Sequence, residues 1–167
     1  PIIESNTKEA IADAEHLTPQ GDFDFIFFDL PGTLNNVDLI HTLARMDYII
    51  APIAADRVVM ESTLDYMVTV RDDIMGSGKS DIKEIYMLWN LVDGREKSEL
   101  YEVYEAVINE LEFTTLNTFI PNSLRFRREQ SVSHKALFRS TLFPVDKSLV
   151  KGSNIDTLSD ELLEILK

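Results

Sequence analysis

The run FDFIFFDLPGTLNN (residues 23–36) places one carboxylate, Asp29, at the end of an apolar stretch and follows it at once with Pro31 and Gly32. An apolar run bounded by a turn reads as a buried strand, so Asp29 is expected at a carboxyl end, where ligands collect in open α/β sheets. A hard oxygen ligand there can hold Mg²⁺, directly or through water, against the phosphates of a nucleotide. The competing reading is a carboxylate that only caps the following turn or helix. A second stretch with possible chemistry is DDIMGSGKSD (72–81), whose GSGKS resembles the end of a phosphate-binding loop. Such a loop needs a glycine where Asp73 stands, a strand before it and a helix after it. Here a helical pattern precedes and a strand pattern follows. Gly76 and Gly78 therefore read as a helix C-cap and turn, with Lys79 favourably placed near the helix's negative end.

Charge is concentrated in one place. Residues 122–139, NSLRFRREQSVSHKALFR, hold Arg125, Arg127, Arg128, Lys135 and Arg139 against Glu129 alone, a net +4, so the −13 of the whole chain leaves −17 on everything else. An island of this kind can neutralise DNA phosphates, or it can pair with the chain's own acidic surface; the sequence leaves both open. His16, His41 and His134 lie far apart without metal-ligand spacing, and no function is assigned to them. Asn90, at the end of an apolar run, reads by itself as a turn former.

The elements that must position these residues alternate in type. Residues 23–30, 47–53, 82–91 and 115–120 are short, aromatic or β-branched, and apolar on both faces, as strands of a covered parallel sheet are. Met60, Leu64, Met67, Val68, Ile74 and Met75 recur at helix spacing, and so do Leu100, Val103, Tyr104, Val107, Ile108 and Leu111. Tyr101 and Tyr104 are expected to pack within their helix. Residues 7–17, 36–45 and 155–166 complete the helices. Strand alternating with helix is the grammar of an α/β domain: a mostly parallel sheet with helices on both faces. One domain over 1–167 is expected, with 44% hydrophobic residues to fill its core.

An acidic chain is not coated for nucleic acid or anionic membrane, whatever its basic island does. Without cysteine there is no disulfide, thiol nucleophile or thiolate metal site. No stretch approaches the roughly 20 apolar residues of a membrane span, and PIIESNTKEA has no signal-peptide features; a soluble, cytoplasmic protein is expected. The opening PII also reads as a strand entered midway, so the chain is expected to be a fragment.

Two families share the 23–36 pattern. DLPGTL resembles the first motif of haloacid dehalogenase phosphatases, but Pro31 stands where their proton-donating aspartate should be, and Asp72 and Asp73, within a helix, make no convincing later acidic pair. DFDFIFFDLPG resembles more fully the Walker B segment of ParA/MinD-family P-loop ATPases, which include plasmid partition and conjugative transposon proteins. TLARMDYIIAPIAADRVVMEST (42–63), IYMLWNLVDGR (85–95) and FIPNSLRFRRE (119–129) are similar to the segments that follow in that family, in the same order.

The resemblance implies a P-loop NTPase-like fold truncated at its N-terminus, since the Walker A loop should lie upstream of Pro1. It implies Asp29 as the catalytic Mg²⁺ ligand, Asn90 on the adenine of ATP, and Pro121, Asn122 and Ser123 over the base. It further implies non-specific DNA binding near Arg125, Arg127, Arg128, Lys135 and Arg139, a nucleotide-dependent homodimer, and a protein partner in partition or transfer. ATP turnover is expected of an intact ATPase and not of this stretch alone. A non-catalytic interaction module on the same scaffold is the alternative. The family's Walker A strand would lie between 23–30 and 47–53; without it, those two strands are expected to pair directly or to admit an element of another chain.

Overall fold

A computed structural model describes residues 2–21, 23–95, 98–126 and 147–166. The elements are α1 (Ala10–Leu17), α2 (Val37–Ala44), β1 (Tyr48–Ile53), α3 (Arg57–Thr69), β2 (Glu84–Trp89), α4 (Ser98–Glu110), β3 (Thr114–Thr115), α5 (Lys147–Val150) and α6 (Ile155–Ile165). They make a mixed α/β protein with a small parallel sheet in the order β1-β2-β3. Two compact units divide the chain: Pro1–Ile49 with Ser62–Ile85, and Ile50–Glu61 with Tyr86–Lys167.

The first unit is built on α2 and the second half of α3. Asn36 caps α2 by accepting the Asp38 N–H at 2.8 Å, the ordinary way of satisfying a free amide at a helix start. The helix then turns Leu39 and Leu43 inward, four residues apart on one face. Thr42, also buried, donates to the Thr7 carbonyl at 2.7 Å and ties the N-terminal segment to α2. α3 widens into a π turn at Val70–Ile74, tightens into a 3₁₀ turn at Met75–Ser77, and stops at Gly78, which is left-handed at φ 66°. The Gly78 N–H closes that end on Met75 O at 3.0 Å. The GSGKS stretch is therefore a helix terminus leading to β2, as its flanking pattern requires.

Residues 23–30 are the clear departure. They belong to no strand, and no described backbone hydrogen bond joins them to β1. Phe27 is 72% exposed, and Phe23, Phe25 and Ile26 are exposed as well. The expected strand, and its direct pairing with 47–53, are both overturned. Apolar pattern records what a segment would bury; a strand also needs a ladder partner for its amides, and without one those groups stay with water.

In the second unit, β2 and β3 pair in parallel with Tyr86 opposite Thr114 and Met87 opposite Thr115. The regular ladder ends at Thr115, the first residue of the expected 115–120 strand, but the chain keeps running beside β2: Leu116 N–H reaches Met87 O, and Ile120 N–H reaches Trp89 O, both at 2.8 Å. α4 covers this region with a fully buried Ile108. Tyr101 and Tyr104 do not pack within their helix alone; they reach across to Trp89, with ring centroids at 4.9 and 6.4 Å. The Trp89 indole N–H donates to Glu105, whose other oxygen takes the Thr115 hydroxyl at 3.1 Å. One glutamate of α4 thus holds neighbouring strands.

Glu161 of α6 does the same for the loop after β3. Its carboxylate accepts the Asn117 N–H at 2.7 Å, the Asn117 side-chain amide at 3.1 Å and the Thr118 N–H at 2.8 Å. Burial pushes the Glu161 carboxyl up, but these hydrogen bonds oppose it and the net shift is downward. Glu161→Ala is expected to lower stability by about 1–3 kcal/mol, since it strands the amide of buried Thr118. A carboxyl held down in the folded state stabilises fully above its unfolded pKa and loses that contribution as pH falls through its folded value. The gap between wild type and Glu161→Ala in urea unfolding should therefore be wide at neutral pH and narrow in acid; a gap independent of pH would contradict the role.

Candidate functional site

Among the described residues, separate sequence candidates meet at the C-terminal end of β2. Asn90 leaves the strand with its N–H on Ile53 O at 2.7 Å. Its side-chain Oδ1 accepts the next amide, Leu91 N–H, at 2.9 Å, while its Nδ2 makes no hydrogen bond with a described residue. Leu91 takes the left-handed conformation at φ 56°. That turn brings Val92 against the loop from the adjoining chain: Val92 N–H donates to Ile120 O at 3.0 Å, Asn122 N–H donates to Val92 O at 2.8 Å, and Val92 and Pro121 form a parallel bridge. Asn90 and Pro121 are half-buried, Asn122 is exposed and Ser123 half-buried. The arrangement offers an amide edge at a strand tip beside a backbone shelf.

The turn that follows is clamped. Arg95 grips the Asp93 carboxylate with Nε on one oxygen at 2.9 Å and Nη2 on the other at 2.6 Å, and adds its own N–H at 3.0 Å. The two side-chain bonds first, and the backbone bond second, hold the Asp93 carboxyl down to about 2. The Asp-Gly-Arg run signals a turn in the sequence, though not this grip.

Asp29 belongs to the first unit. It is exposed, accepts no hydrogen bond from a described residue, and is followed by a three-residue turn in which Thr33 N–H meets Pro31 O at 2.9 Å. The expected turn at Pro31–Gly32 is present, and the cap of α2 is Asn36 rather than Asp29. Among the described residues no three His, Asp or Glu side chains converge as a metal site. A single free carboxylate suits Mg²⁺ only as one ligand among phosphate oxygens and waters, which is how that ion is commonly held. Asp72 and Asp73 lie in the π turn after α3.

Arg125 lies in a 3₁₀ turn, Leu124–Phe126, directly after the 121–123 loop. Arg127, Arg128, Lys135 and Arg139 fall outside the described residues. Of the histidines, His41 sits in the last turn of α2 and His16 in that of α1. No described helix is long and apolar enough to cross a membrane. Glu105 and Glu161 carry no signal in the sequence, because each works through a partner remote along the chain. Comparison of the chain with protein-family models, with curated proteins and with solved structures returns no match.

Proposed function

We propose that this chain is the base-binding part of a ParA/MinD-like P-loop ATPase, a cytoplasmic protein of plasmid partition or conjugative transfer. One observation supports the reading above the others. Asn90 and the 121–123 loop, which the family resemblance assigns together to adenine, lie side by side at a strand's carboxyl end, linked by the Val92 bridge. Open parallel sheets bind ligands at such ends.

In this reading Asn90 meets the adenine edge, its Nδ2 donating to N7 and its Oδ1 accepting from the N6 amine, the pairing that asparagine makes with adenine. Pro121, Asn122 and Ser123 cover the base. Asp29 serves as a ligand to Mg²⁺, which supplies charge neutralisation at the phosphates of ATP. Arg125, Arg127, Arg128, Lys135 and Arg139 meet DNA phosphates, and the nucleotide state governs homodimer formation and engagement of a protein partner.

The test is a titration of the ¹⁵N-labelled chain with adenosine and, separately, guanosine. Adenosine is expected to shift the amides of Leu91, Asn122 and Ser123 with a Kd on the order of 1 mM, the range of a small ligand held by a few contacts. Asn90→Ala should abolish the shifts. Guanosine, which presents an oxygen where adenine has its amine, should leave them small. No response to adenosine, or an equal response to guanosine, would overturn the reading. The exposed aromatic run at 23–27 favours a second one, the interaction module, under which neither nucleoside binds.

A further inference from the structure

Among the described residues, three other than glycine adopt the left-handed backbone: Leu91 at φ 56°, Glu112 at φ 60° and Asn154 at φ 62°. Two have ordinary reasons. Glu112 follows α4 and lets the Phe113 N–H fold back to Ile108 O at 3.1 Å, a common way for helices to close. Asn154 is of a type that visits this region readily, and its side chain donates to Phe119 O at 2.9 Å.

Leu91 has neither reason. It ends no helix, and its branched apolar side chain is 46% exposed, so burial does not offset the conformational cost. Glycine would take the same φ freely and asparagine with little penalty, and either would leave the Val92 bridge intact. Strain of this kind concentrates at ligand sites, where the surroundings hold it in place. At this tip the surroundings are the Asn90 Oδ1 bond to Leu91 N–H and the two backbone bonds of Val92. The expensive feature is therefore the side chain, kept at a position where a smaller residue would serve the backbone better.

We infer that Leu91 is a further binding residue of the strand-tip site, its isobutyl group packing on the face of a purine base whose edge Asn90 meets. The inference rests on the adenine reading above. A flat heterocycle needs apolar surface against its face as well as a partner at its edge, and edge bonds alone hold it poorly in water. Leu91 supplies that surface next to Asn90 in the chain. Exposure suits the role, since the face must be open before the ligand arrives.

The experiment compares wild type, Leu91→Gly and Leu91→Met by adenosine titration in NMR and by calorimetric unfolding. Leu91→Gly is expected to raise Tm by about 3–6 °C through relief of the left-handed strain, and to weaken adenosine binding about tenfold. Leu91→Met, which keeps an apolar side chain of similar volume, should bind within about twofold of wild type. Opposite signs for stability and binding separate a ligand contact from a structural role, which would move both the same way. Equal adenosine affinity in wild type and Leu91→Gly, or a lower Tm in Leu91→Gly, overturns the role of Leu91 alone. A wild-type chain that does not respond to adenosine overturns both the adenine reading and this inference.

Discussion

Ile108→Ala is expected to lower the unfolding free energy by about 2–5 kcal/mol, the largest stability effect foreseen for a single side chain of α4. Ile108 is 0% exposed, so truncation removes buried methyl and methylene groups and leaves a void that neighbouring helix and strand backbones cannot fully close. Val103, on the same helix, is 60% exposed, and Val103→Ala should change stability by no more than about 0.5 kcal/mol. Equilibrium urea unfolding followed by circular dichroism distinguishes the two. Comparable effects at both positions would show that α4 does not present the face assigned to it.

Replacing Arg125, Arg127 and Arg128 with alanine together is the second large effect, and it bears on the basic island. If that island serves DNA, the triple variant should lose affinity for all sequences alike. The slope of log K against log salt should become shallower by about 3, near 0.9 for each phosphate contact removed. Fluorescein-labelled duplexes of unrelated sequence, titrated at several salt concentrations, provide the measurement. Unchanged affinity, or no binding by the wild type even at low salt, would assign the arginines to pairing with the chain's acidic surface instead. On a chain of net charge −13, only a local concentration of cations can approach DNA at all.

Much of the fold is legible in the residues, and the limits have physical causes. The 3.6-residue spacing of Met60, Leu64 and Met67 marks α3 because one helix decides its own buried stripe. The apolar runs at 47–53 and 82–91 contain β1 and β2, Tyr48–Ile53 and Glu84–Trp89, for a similar reason. FDFIFFDL has the same composition and no ladder, because pairing depends on what lies beside a segment, which its own residues do not encode. The site divides likewise. Asn90 and the 121–123 loop stand out only through an ordered resemblance; that Val92, two residues after Asn90, bridges to Pro121 is a tertiary fact. Leu91 could not be found from sequence, since nothing about a leucine announces a positive φ. The π turn at Val70–Ile74 is equally silent in the letters.

Trp89 is the chain's sole tryptophan, and it lies in the second unit with its indole N–H on Glu105. Its emission consequently reports on one unit and is blind to the other. In a denaturant titration, fluorescence from the unlabelled protein would time the loss of the Trp89, Tyr101 and Tyr104 cluster, whereas backbone ellipticity sums every helix. Coincident midpoints would make the two units one cooperative body. Separated midpoints would mean that each melts on its own schedule, and the interval between them would measure how weakly the halves of this chain are thermodynamically coupled.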